Sequence, residues 1–306
     1  MIIPLESITA AQVANRLMEI REEGGVVALG RVMTLIVMAD RGTVEGAIEL
    51  ANNASREHPA RVIVVEVCRD DEPNGLDAEI RVGADAGASE VVVLMPRGEA
   101  GRELDTLITP LLLPDAPIVA LWLADTPEDP SDTLVGRMAQ RRITESVKDG
   151  LPALRSLAEN YAPGDTDLSW ARITLWRALL AAQFDQPVPE PTKVTITGNP
   201  DRPSTHLLAG WLTDRLQVPV EIDEIDGVEL QGVTVEFGED HLAITREPGS
   251  ATAVISRPDI PDQTTSLAVR TLGDCLLEDL RRLDADSTYA AALATVAAPA
   301  GTSSEG

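Results

Sequence analysis

Cysteine is nearly missing from this chain, with only Cys68 and Cys275 among 306 residues. They stand far apart and in no CxxC pair, so neither a disulfide framework nor a cysteine metal clamp is indicated. Two free thiols are the expectation. Histidine is almost as scarce: His58, His206 and His241 are the only ones, none spaced four residues from another ligand. No metal site is expected from that pattern. Lysine occurs only at Lys148 and Lys193, so nearly all positive charge is guanidinium. Aromatic residues make up 3% of the chain, which leaves Ile, Leu, Val and Ala to build the interior. Each tryptophan therefore needs a reason.

Long hydrophobic runs are missing too. No apolar stretch approaches the ~20 residues needed to cross a bilayer. The opening Met1-Ile2-Ile3-Pro4 lacks the basic and apolar regions of a signal peptide. A cytoplasmic protein is the expectation, with no membrane partner. The common catalytic and nucleotide fingerprints are absent as well: no GxGxxG after a strand, no GxxxxGK[ST] and no GxSxG elbow. GADAGAS, Gly83 to Ser89, is small-residue rich, but it precedes a buried strand, whereas a phosphate loop follows one. No cofactor and no catalytic residue are predicted.

What is abundant is acid. Fifty Asp and Glu face twenty-five Lys and Arg, a formal charge of −25. That field repels phosphate backbones and anionic lipid, which excludes general nucleic-acid binding. The 44% apolar content is that of a globular chain.

Apolar patterning gives the fold class. VMTLIVMA (Val32–Ala39), RVIVVEV (Arg61–Val67), SEVVVLM (Ser89–Met95) and PIVALWL (Pro117–Leu123) are unbroken apolar runs of strand length. DAEIRVG (Asp77–Gly83) alternates like a strand with one polar face. Helical patterns lie between them, near 9–23, 42–58 and 98–112. Buried strands alternating with helices predict an N-terminal three-layer α/β domain with a mostly parallel sheet, over residues 1–164. A helix through Leu154, Leu157 and Tyr161 closes it at the turn Pro163-Gly164. A second, α+β domain is predicted over 165–298. It holds the strands KVTITG, PVEIDEI, GVTVEF, HLAITRE and ATAVISR, bracketed by helices. Residues 299–306 read as a disordered tail.

The second domain opens on GDTDLSWARITLWRALLAAQFD, Gly164 to Asp185. On a helical wheel Ile173, Trp176, Leu180 and Phe184 form one face, with Trp170 at its edge. Leu168, Leu175, Leu179 and Ala182 form the opposite one. A helix apolar nearly all round is expected to be buried from two sides. Arg177 falls inside the aromatic face, between the directions of Phe184 and Trp170, and Arg172 borders Trp176 on the other side. A buried guanidinium needs a carboxylate or an external anion. Trp and Arg are also the residue types of interface anchors, so Trp170, Arg172, Trp176 and Arg177 are candidate partner contacts. Arg141 and Arg142, in AQRRITES, are weaker candidates of the same kind. GNPDRPST, Gly198 to Thr205, joins a strand to a helix. Ser204 or Thr205 is expected to cap that helix, and free amides with Arg202 nearby make an anion-binding candidate.

The ordered blocks ALGRVMTLIV, NNASREHPARVIVV, AEIRVGADAGASEVVVL, TPLLLPDAPIVALW, RRITES, GDTDLSWARITLWRALLA, LLAGWLTDRLQVPVE and EDLRRLDADSTYAAAL resemble the OpcA family. These are the glucose-6-phosphate dehydrogenase assembly proteins, and the likeness covers nearly the whole chain. It implies a non-catalytic partner that assembles or activates glucose-6-phosphate dehydrogenase, opening the oxidative pentose phosphate pathway. The family has no catalytic residue set to carry over. Some relatives are linked with thioredoxin control, to which Cys68 and Cys275 give little support. The rival expectation is a sugar-phosphate sensor or enzyme whose Arg172, Arg177 or Gly198–Thr205 loop grips a phosphate.

Overall fold

The computed structural model describes residues 1–24, 32–67, 73–82, 90–185, 188–227, 230–258 and 260–297. The chain forms two units. The first comprises Met1–Glu145 and Leu272–Ala285; the second comprises Ser146–Thr271 and the segment that begins at Asp286.

In the first unit Ile2–Leu5 (β1) precedes the helix Ala10–Gly24 (α1). Then come Met33–Ala39 (β2), Val44–Ala54 (α2), Ala60–Glu66 (β3), Gly75–Arg81 (β4) and Glu90–Arg97 (β5). Leu104–Ile108 (α3), Ile118–Trp122 (β6) and Arg141–Thr144 (β7) complete the body. The strands lie in the order β1-β4-β5-β3-β2-β6-β7. Pairs β5–β3, β3–β2, β2–β6 and β6–β7 are parallel; β4 and β1 add an antiparallel edge. The α/β class with a mostly parallel sheet is thus as the apolar runs imply. Alternation divides each run between two faces. Ile36, Met38, Ile63, Val65, Val92 and Leu94 share one core with Val13, Leu17 and Ile20 of α1. The intervening Leu35, Val37, Val62 and Val64 are equally buried, and α2 packs on β2 and β3.

One helix predicted here is not continuous. Residues 98–112 form a 3₁₀ turn, then α3, then a second 3₁₀ turn. Gly98 has φ 58°, outside the helical range, and Pro110 has no amide to donate, so an unbroken ladder cannot form.

The second unit begins with Gly150–Glu159 (α4), Asp165–Asp167 (β8), Leu168–Arg172 (α5) and Thr174–Ala182 (α6). It continues with Lys193–Gly198 (β9), Pro203–Leu216 (α7), Val220–Glu224 (β10), Gly232–Phe237 (β11), Asp240–Thr245 (β12), Thr252–Arg257 (β13) and Ile260–Ser266 (β14). Its sheet runs β10-β9-β11-β12-β13-β14. β9 and β10 are parallel across the α7 crossover, and the rest is an antiparallel meander. The division comes at Glu145/Ser146, before the turn at Pro163-Gly164. The reason is packing: Leu154 of α4 belongs to the core with Trp170, Trp176, Ile196 and Leu208.

Two late helices are shared out. Leu272–Leu280 (α8) returns to the first unit, with Cys275, Leu276 and Leu280 buried. Asp279 there accepts a 2.6 Å bond from Arg141, both side chains almost fully buried. Ser287–Ala297 (α9) belongs to the second unit and packs closely on α7. Gly210 permits that approach, since a Cβ on it would lie 2.3 Å from Ala292 O and Thr295 Oγ1. Cys275 is fully buried. Cys68, the Gly83–Ser89 loop and the 299–306 tail lie outside the described residues.

Candidate functional site

The tryptophan segment is two short helices, not one. Gly164 turns the chain with φ 101°. Asp165 Oδ2 then accepts from Ala162 N at 2.8 Å, and the buried Asp167 accepts from Ser169 N at 2.8 Å and Ser146 N at 3.0 Å. Asp167 thereby caps α5. Ile173, at φ −94° and ψ 5°, separates α5 from α6. Enclosure from two sides holds only for α5, where Leu168 to Ala171 are buried. On α6 the predicted second face is open: Leu175 is 38% exposed, Ala182 is exposed and Leu179 is half-buried. The inner row Ile173, Trp176 and Leu180 already fills the core, leaving the outer row no layer to meet.

Trp170 and Trp176 are 3% and 2% exposed, so neither indole offers surface to a partner. Trp170 Nε1 donates to Asp286 Oδ2 at 2.9 Å, and its ring tilts against Tyr289 at 5.8 Å. Arg177 lies over the same indole, its Cζ 3.5 Å from the ring centroid. Its guanidinium also donates to Thr174 Oγ1 at 2.9 Å. Asp286 feels competing influences. Burial pushes its carboxyl up, but amide donors from Tyr289 and Thr288, the Trp170 indole and the Arg177 charge outweigh it. The net position is below the ordinary carboxylate range. Arg177 thus joins an aromatic and carboxylate cluster inside the second unit.

Arg141 and Arg142 are buried on β7. Arg141 donates to Asp279 at 2.6 Å and to Asp284 O at 3.1 Å, and Arg142 donates to Ala139 O at 2.9 Å. These three bonds lie within the first unit.

The Gly198–Thr205 loop is built differently from its predicted form. Arg202 is the N-cap residue of α7, Pro203 occupies the first turn, and no side chain caps it. Ser204 and Thr205 already lie inside that first turn, too far along to cap. Thr205 is buried beside Gly198, where a Cβ would approach Thr205 Oγ1 to 3.1 Å. His206 Nε2 meets Pro200 O at 2.6 Å, and burial pushes that imidazole below its ordinary pKa.

One small cleft draws two of the separate candidates together. Arg172 and Ser204 line a cavity of about 70 Å³ with Trp176, Ile173, Arg246 and Arg270. Leu230, Ala268 and Val269 complete its described wall. Arg202, Thr205 and Arg177 do not line it. Arg246, only 6% exposed, donates to Leu267 O at 3.1 Å and Leu230 O at 3.0 Å. Its Cζ stands 5.4 Å from the Trp176 ring centroid. Arg270 donates to Ala171 O at 2.8 Å. Arg246 is legible by parity: Leu242 and Ile244 face the core, and Arg246 continues that row. Arg270 follows β14, a strand with no apolar pattern, and the sequence carries no signal for it. Three arginines, a serine and a tryptophan line the cleft, residue types whose side chains can bind an anion.

Among the described residues no group of three or more His, Cys, Asp or Glu could hold a metal ion. No helix among them is long and apolar enough to cross a membrane.

Two family models match the chain in succession. The glucose-6-phosphate dehydrogenase subunit N-terminal domain matches residues 51–159, and its C-terminal domain matches residues 163–293. No curated protein matches. Among solved structures, a mutant 3-ketoreductase from Actinomadura kijaniata, in complex with TDP-benzene and NADP, is similar at 10% identity. The likeness covers 88% of this chain and 91% of that one, with TM-score 0.46. An aldose-aldose oxidoreductase from Caulobacter crescentus is similar at 9% identity, over 86% and 95%, with TM-score 0.47. An NAD-binding oxidoreductase from Klebsiella pneumoniae is similar at 8% identity, over 87% and 94%, also with TM-score 0.47.

Proposed function

Because the chain belongs to the OpcA family, matched through both of its glucose-6-phosphate dehydrogenase subunit domains, we propose that it is a non-catalytic accessory protein of that dehydrogenase. It binds the enzyme and favours its assembled, active state in the oxidative pentose phosphate pathway. The observation that carries this reading is the pair of matches, in order, over most of the chain. A partner shifts such an equilibrium only by binding the active form more tightly than the inactive one. The proposed working place is the cytoplasm, with no nucleic acid involved, which the −25 charge favours.

The test is co-purification with the dehydrogenase, followed by titration of its activity with the purified chain. A stable complex with saturable activation is expected, and the chain alone is expected to transfer no hydride to a nicotinamide cofactor. Failure to bind, or turnover by the isolated chain, would overturn the proposal.

A further inference from the structure

Arg172 ends α5, Arg246 follows β12 and Arg270 follows β14, yet all three meet in one cleft of the second unit. We infer that this cleft binds a phosphate dianion, free or carried as a monoester. The inference concerns the chain by itself and does not rest on the dehydrogenase partnership.

Three arginines line one small hollow, and a doubly charged anion seated there is attracted by each positive charge along its wall. Guanidinium is the group whose planar fork fits phosphate oxygens in pairs. The forks are already held in place: Arg246 by Leu267 O and Leu230 O, Arg270 by Ala171 O. Little ordering remains to be done on binding, which favours affinity. Ser204 adds a hydroxyl from the first turn of α7, a helix of 14 residues whose N-terminal end carries the positive pole of its dipole.

Size narrows the ligand. The hollow is small, about 70 Å³, a scale that suits a compact anion such as one phosphate group. A group attached to the phosphate has an open side to occupy, where Ala268 and Val269 are exposed.

The experiment is calorimetric titration, with melting curves, of the full chain against inorganic phosphate and glucose 6-phosphate. Sodium chloride at matched ionic strength and acetate are the controls. Saturable binding of phosphate and a raised melting temperature are expected, with no such effect from either control. Arg172→Gln should weaken binding at least about tenfold, the loss of a charge-assisted contact, and Ser204→Ala by a smaller factor. If Arg172→Gln does not fold, Ser204→Ala decides, since its small, half-buried hydroxyl is dispensable for packing. Tighter binding of glucose 6-phosphate than of phosphate identifies an organic monoester; equal binding identifies free phosphate. Either supports the site. No binding beyond the chloride control, equal binding of acetate, or binding unchanged in the folded variants would overturn it.

Discussion

Arg177 shows how a single side chain is used twice. Its guanidinium covers the Trp170 indole at 3.5 Å, and its charge adds the smallest contribution to a lowering of the Asp286 carboxyl. Against the opposing effect of burial, that lowering comes mainly from the Tyr289 amide, the Trp170 indole and the Thr288 amide. Asp286 in turn accepts from Trp170 Nε1 and from the Thr288 and Tyr289 amides at the start of α9. The folded-state position of that carboxyl lies below its unfolded one. Its stabilising effect is therefore complete above the ordinary carboxylate range and drains away as pH falls through and below it. Asp286→Asn keeps the shape and removes the charge. Wild type should exceed this variant by about 1 kcal/mol at neutral pH, and the gap should close as pH falls below about 4. Urea unfolding of both proteins across pH is the measurement. A gap that stays constant with pH would show that the charge contributes nothing.

Among the elements, α7 and α9 make the closest helix contact, and Gly210 sets their distance. Helix propensity alone favours Gly210→Ala by about 1 kcal/mol. A Cβ 2.3 Å from Ala292 O reverses the sign, because backbone cannot yield as a side chain can. We expect a net loss of about 1–3 kcal/mol, the usual cost of overpacking, read as a lower melting temperature. An unchanged or higher melting temperature would mean that the helices separate freely. The same elements show which parts of the fold are legible. β2, β3, β5 and β6 are unbroken apolar runs because both faces of a parallel sheet are covered, and such runs announce themselves. β14, reading IPDQTTS, is exposed almost throughout, so no burial is written into it. β1 escapes notice for a related reason, since a four-residue edge strand with alternate exposure carries little pattern. The break at Ile173 is hidden because α5 and α6 share one apolar composition. Of the anion cleft, Arg172 and Ser204 are visible separately. Their meeting with Arg246 and Arg270 is a product of tertiary folding, and no local spacing encodes it.

At the scale of the whole molecule, neither unit is a continuous stretch of chain. Residues 146–271 hold the sheet and α7, but Tyr289, Ala292 and Leu293 of α9 are fully buried in the same core. Burial of three such side chains contributes about 5 kcal/mol, comparable with the entire stability of many domains. A fragment covering 146–271 should therefore fail to fold cooperatively. Joining 286–297 back through a flexible linker should restore a sharp thermal transition. A cooperative transition in the shorter fragment would contradict this account of the core.

The return of α8 to the first unit bears on how the protein is made. Arg141 is synthesised long before Asp279, the carboxylate it meets at 2.6 Å. At ribosomal speeds of about 5–20 residues per second, the interval between them is on the order of ten seconds. Throughout it the nascent first unit carries a guanidinium destined for burial and an uncovered apolar seat for Cys275, Leu276 and Leu280. The growing polypeptide is thus vulnerable to misassociation until its last helices emerge, and a mutation near its end can undo a domain that was nearly complete at its beginning.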